Sequence, residues 1–198
     1  MASAVDEVVI AARWKLRTLI KTKRYYNDAE LVLLYKAHLL SFIEYRTPAV
    51  YHATREFLER LDRIQSNFLH DVGINEVTAL MAFNLAPLAT RRDIAILGVI
   101  HRTVIGKGPK HFKNHFRVGQ DRRVHDPRVK DRGQLITRSA LGLVAVYNLL
   151  PRGITSAENV KDFQTRLQTE LKLRAEAGTL DWPKTYSPRV PLKDHPLG

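Results

Sequence analysis

The stretch Phe57-Leu58-Glu59-Arg60-Leu61-Asp62-Arg63-Ile64-Gln65-Ser66-Asn67-Phe68 decides the fold class. Phe57, Leu58, Leu61, Ile64 and Phe68 recur at the spacing of one helix face, while Arg55, Glu59, Arg60, Asp62 and Arg63 fall outward. Gly73 is placed to stop this helix. Upstream the same period returns at Leu31, Leu34, Tyr35, His38, Leu39 and Phe42, with Asn27 or Asp28 as the cap. His38 lies on that apolar face, which predicts a hydrogen-bonded core histidine. Thr47-Pro48 interrupts the pattern.

Downstream, a short helix is expected near Glu76 to Phe83. Another starts at Ala86-Pro87, with Ile94, Leu97, Ile100, Val104 and Ile105 as its stripe and Ile96 and Val99 on its flank. It is apolar over most of its circumference and reads as the most buried helix; Gly106 and Gly108-Pro109 end it. Helical pattern resumes from Arg138 to Leu150 and again after Thr155, where Thr155-x-x-Glu158 has the form of a capping box. Val160, Phe163, Leu167 and Leu171 make the last stripe. From Trp182 the prolines 183, 188, 191 and 196 predict an extended tail without its own core. The expected architecture is all-α: an N-terminal helical bundle over 1–106, a basic excursion over 107–137, C-terminal helices over 138–178 packing on the bundle, and the tail 179–198. No strand is expected.

The 198 residues carry 32 Lys and Arg against 20 Asp and Glu, a net charge of +12 and a pI near 10.1, which points to polyanionic partners. With 44% hydrophobic residues there is enough apolar material for a core. The longest apolar run, Ala140 to Tyr147, is far shorter than the roughly 18 residues of a membrane span, so the chain reads as soluble. There is no cysteine, which removes thiol catalysis, disulfides and cysteine-based metal sites. Together with the lack of a secretory signal this predicts an intracellular protein, leaving an organelle such as the mitochondrion, the nucleus and the cytoplasm open.

The excess charge sits in two segments. Arg13 to Arg24 holds six basic residues and no acid; Arg102 to Arg138 holds eleven against three aspartates; the rest of the chain is slightly acidic. Clustered cations of this kind neutralise backbone phosphates irrespective of base sequence. Lys15, Arg17, Lys21, Lys23 and Arg24 are expected to form one phosphate-binding stripe, and Lys107, Lys110, Lys113, Arg122, Arg123, Arg128, Lys130 and Arg132 a second. His111, Phe112, His115, Phe116 and His125 interleave the second segment and could stack on bases or anchor a short helix.

Catalytic signatures are missing: there is no Asp-Asp pair, nucleophile elbow, Walker loop or dinucleotide fingerprint. Gly106-Lys107-Gly108-Pro109-Lys110 reads as a basic turn, because Pro109 removes an amide donor and no hydroxyl residue follows. His111 and His115 share helical spacing but lack the glutamate of a metalloprotease, so no metal or other cofactor is expected. Arg91-Arg92-Asp93 places two cations beside a helix start, with Asp93 as compensation or, alternatively, a phosphate or a partner's carboxylate.

Leu34-Tyr35-Lys36-Ala37, Ile43-Glu44-Tyr45, Leu61 to Leu69 and Leu85 to Asp93 occur in an order that resembles the thumb and post-thumb region of non-LTR (LINE-type) retrotransposon reverse transcriptases. Tyr147-Asn148-Leu149-Leu150-Pro151 and Phe163-Gln164-x-x-Leu167 are similar to that family's Trp-Asn-x-Leu-Pro and Phe-Lys-x-x-Leu elements, with Tyr147 and Gln164 as departures. The resemblance spans about Arg13 to Leu171 and implies contact with a nucleic-acid backbone. The fingers, the palm with its metal-binding aspartates, the endonuclease and the Cys-His knuckle are not in this chain, so no polymerase activity is expected of it alone. The expected function is that of a non-catalytic RNA-binding subunit of a ribonucleoprotein such as a ribosome, with other protein subunits as partners and no small-molecule substrate. RNA is favoured over DNA because a long basic excursion and a proline-rich tail suit folded RNA. The alternatives are a thumb fragment working with a palm-bearing chain, and a scaffold subunit binding acidic partners.

Overall fold

The computed structural model describes residues 2–114, 116, 118–119, 122–124 and 138–198, with the side chains of residues 2–4, 113 and 114 left aside. The chain is predominantly α-helical, and among the described residues the one β feature is an isolated antiparallel bridge, Val118 to Val124. It divides into two compact units, Met1–Leu88 and Ala89–Gly198, where the sequence suggested a boundary at 106/107.

Unit 1 contains helices α1 (Ala2–Lys21), α2 (Asp28–Tyr35), α3 (Ser41–Tyr45), α4 (Thr47–Val50), α5 (Arg55–Val72) and α6 (Glu76–Phe83). Asn27 caps α2 in a full capping box with Glu30, and Gly73 ends α5 in the left-handed region at φ +84°. Helix α1 lies along α5, burying Ala12, Leu16 and Leu19 in one core with Tyr35, Leu39, Ile43, Ile64 and Phe68. Val5, Val8 and Val9 form a second cluster with Val50, Leu58 and Leu61.

Some of the residues that carry the resemblance meet inside this unit. Tyr35 stacks on Phe68 at 4.3 Å between ring centroids. Its hydroxyl donates to the buried Gln65 Oε1 at 3.3 Å, and Gln65 Nε2 donates to the Ala86 carbonyl at 3.0 Å. Three of the resemblance segments are therefore joined by one glutamine. Lys36 Nζ donates to the Phe83 carbonyl, fixing α6 as well.

His38 is exposed, not a core histidine. Residues Lys36–Leu40 form a π-turn, which inserts one residue into the helical ladder. The apolar stripe then moves one position along the chain. Leu39, Leu40 and Ile43 are buried, Phe42 is half-buried, and His38 turns to solvent.

Unit 2 contains most of α7 (Leu88–Val104), then α8 (Leu143–Leu149), α9 (Arg152–Thr155) and α10 (Val160–Glu176). The expected helix over 138–150 is shorter: Ser139 caps a 3-10 turn at Ala140–Gly142, which leads into α8. It is α8, not α7, that is most enclosed, since Leu143 to Tyr147 are all buried while α7 exposes Ala95 and Arg102. The capping box at Thr155 does not form. Thr155 closes α9, and α10 is capped by Asn159, whose side chain accepts from the Asp162 amide at 2.8 Å. Asn159 has the same acceptor geometry one turn later.

Nor is the tail extended and coreless. Trp182, Thr185, Tyr186, Pro188 and His195 are buried in unit 2, with 3-10 turns at Trp182–Lys184 and Leu192–Asp194. Tyr186 donates to the Leu167 carbonyl at 2.8 Å, and Arg174 donates to the Pro196 carbonyl at 2.8 Å. The prolines break helix here without preventing burial of the aromatic residues between them.

Candidate nucleic-acid interface

The first basic segment is the C-terminal half of α1 and the turn after it. At 100° per residue, Trp14, Arg17 and Lys21 fall within one narrow sector of α1, with Arg13 at its edge. Arg13, Arg17 and Lys21 are exposed and form one rim of a groove of about 550 Å³ in unit 1. Leu16 and Ile20 also line it, and Asn67, His70 and Asp71 of α5 form the opposite rim. Asp71 contributes the groove's one carboxylate and lies 3.8 Å from His70 Nδ1, so three cations face a single acid.

The remaining cations expected on this stripe are placed elsewhere. Lys15 is about 100° from Trp14, half-buried, with its ammonium 5.3 Å from the Phe42 ring centroid. Lys23 donates to the Asp71 carbonyl in the last turn of α5, where a cation satisfies an orphan acceptor and complements the helix dipole. Arg24 lies 4.7 Å over the Tyr25 ring. Of the five predicted residues, only Arg17 and Lys21 share the groove, and Arg13 joins them.

In the second segment Gly106, at φ +78°, terminates α7. A Cβ on Gly108 would lie 2.7 Å from the Thr103 Cα, so the basic turn is folded tightly against α7. Lys107, Lys110 and Arg123 are exposed. Arg122 is also exposed but anchored: at φ +59°, its Nη1 donates to the carbonyls of Thr155 at 2.7 Å and Ala157 at 3.1 Å. Asn148 clasps the Val124 backbone from both sides, at 3.0 and 2.8 Å. Phe112 and Phe116 pack edge to face, and Phe116 and Val124 are buried. These rings anchor the segment, the second of the two roles expected for them. His111 is exposed. The side chain of Lys113, and Arg128, Lys130, Arg132, His115 and His125, lie outside the described residues.

Beneath Arg122 is a residue the sequence reading passed over. His101 is fully buried, stacked on Phe163 at 4.1 Å and 4°. Its Nε2 faces the Ala157 carbonyl at 3.1 Å, which requires a proton on that nitrogen, so in the neutral ring Nδ1 accepts from the Tyr147 hydroxyl at 3.0 Å. Burial lowers the His101 pKa, an effect opposed by the bond to Ala157 and reinforced by Arg122 and Arg166. Burial likewise pushes Tyr147 up to about 12. The resemblance motifs at Tyr147 and Phe163 thus form a packed, neutral centre.

Among the described residues no group of three His, Asp or Glu side chains converges to hold a metal ion, and no helix is long and apolar enough to cross a membrane. No family model, no curated protein and no solved structure matches this chain.

Proposed function

We propose that this protein is a non-catalytic helical subunit of a ribonucleoprotein, related to the thumb region of non-LTR reverse transcriptases, and that it binds the RNA backbone. The observation that carries this reading is the alignment of Arg13, Arg17 and Lys21 along one rim of the α1–α5 groove, in a segment without acids. Cations on successive turns of a helix stand in a row along its axis, an arrangement suited to successive phosphates of one backbone. The exposed Lys107, Lys110 and Arg123 supply further positive charge.

Equilibrium binding of the full chain to a structured RNA at increasing salt tests the reading. Three phosphate contacts from the groove alone weaken binding roughly 20- to 40-fold between about 50 and 200 mM salt. The double variant Arg17→Glu/Lys21→Glu is expected to lose most of that affinity and part of its salt dependence. Affinity indifferent to both salt and these substitutions would refute it.

A further inference from the structure

The exposed aromatic residues of this protein are unevenly placed. All described phenylalanines are buried or half-buried. The exposed large aromatics are Trp14 at 69%, Tyr25 at 66%, Tyr26 at 44% and Tyr45, and three of these four lie in or just beyond the acid-free basic segment of α1. An exposed tryptophan on a well-packed helix loses apolar burial that other positions on α1 offer, since Val5, Val9, Ala12, Leu16 and Leu19 are all buried. Its neighbours in the same sector are Arg17, one turn away, and Lys21, two turns away. The nearest acid in that sector, Glu7, lies about 10 Å off toward the N-terminus.

A flat ring at one end of a row of cations matches a nucleotide whose base is free to stack while the phosphates that follow it are neutralised. A duplex presents only its phosphates here, because its bases are already stacked. We propose that Trp14 stacks an unpaired base of single-stranded RNA, with Arg17 and Lys21 on the adjoining phosphates, so that this face of α1 prefers single-stranded over duplex RNA. This rests on the RNA-backbone reading above and adds the class of strand. An anionic membrane surface is a weaker fit. Interfacial helices insert a broad apolar face, whereas α1 buries its own in the core and leaves Ile10 and Trp14 as its exposed large apolar residues.

The protein contains two tryptophans, and Trp182 is buried, so Trp14 is the one whose emission a ligand can reach directly. Titration of the full chain with poly(U) is expected to quench tryptophan fluorescence, and titration with a blunt RNA duplex to leave it nearly unchanged. Trp14→Ala should weaken poly(U) binding roughly 5- to 100-fold while leaving duplex affinity unchanged, and Trp14→Tyr should restore most of the loss. Loss of both affinities in Arg17→Glu/Lys21→Glu, with no effect of Trp14→Ala on poly(U), would overturn the stacking site and leave the backbone reading intact. Absence of binding to either RNA overturns both. A blue shift of Trp14 emission on anionic vesicles without quenching by poly(U) would assign the face to lipid instead.

Discussion

Both basic segments interleave cations with aromatic rings, yet they put the rings on opposite sides. In α1 the apolar face is filled by aliphatic residues, and Trp14 is left outside beside Arg17 and Lys21. Among the described residues of the segment after α7, Phe112, Phe116 and Val124 are the anchors and Arg122 is held by two carbonyls. Similar composition therefore yields a free charged face in one place and a tethered loop in the other. Which outcome follows depends on whether the local sequence has other apolar residues with which to build its core contact.

Removing one ring from each segment gives the largest contrast between the two. Phe116→Ala is expected to cost about 3 kcal/mol in denaturant unfolding, against no more than about 0.5 kcal/mol for Trp14→Ala. Equal losses would show that the two rings are not differently placed. The matching arginine pair gives a smaller contrast. Arg122→Ala removes two hydrogen bonds to backbone acceptors and should cost about 1 kcal/mol, while Arg17→Ala stays near zero in stability and is read in RNA affinity instead.

A pH contrast should separate the two units. His101 and His195 are both buried in unit 2, and burial lowers both pKa values, opposed by their backbone carbonyl partners. The unfolded chain takes up protons near the ordinary histidine value of 6.5, whereas the folded chain resists doing so until lower pH. The unfolded state then binds more protons, so stability is flat above about pH 7 and falls as pH drops below about 6.5. The slope is at most about 1.4 kcal/mol per pH unit for each histidine. His101→Gln should flatten part of it, measured as urea midpoints at about pH 7.5 and about pH 5.5; an unchanged slope would remove His101 as a source.

Much of the helical skeleton is legible in the sequence, because α5, α7 and α10 carry their buried residues at plain helical spacing and α2 has its cap in place. The misreadings have physical causes. Helical periodicity puts His38 on the apolar face, but the π-turn at Lys36–Leu40 adds a residue and shifts the stripe by one. The same rule fits His101, which follows Ile94 and Leu97 at i+7 and i+4 with no such interruption, and His101 is the buried histidine. In the tail, proline content predicts the interruption of α-helix but does not determine the packing of Trp182, Tyr186 and His195. Within the site, the charge run revealed the cations but not their directions: Lys15, Lys23 and Arg24 depart from the stripe because α1 is a helix that ends at Lys21. Trp14 was visible inside that run, and its exposure becomes evident only once the aliphatic face of α1 is seen to be complete.

On the proposed reading, Arg17 and Lys21 on the exposed face of α1 contact phosphate, whereas Arg122 is engaged by the carbonyls of Thr155 and Ala157. The most direct measurement is the logarithmic salt dependence of RNA affinity for the parent chain, Arg17→Glu/Lys21→Glu and Arg122→Ala. The expected result is a slope reduced by about 0.7 to 0.9 for each α1 cation lost and unchanged for Arg122→Ala. The reverse pattern, with the slope held by Arg122 and indifferent to Arg17 and Lys21, would rule out phosphate contact by this face of α1.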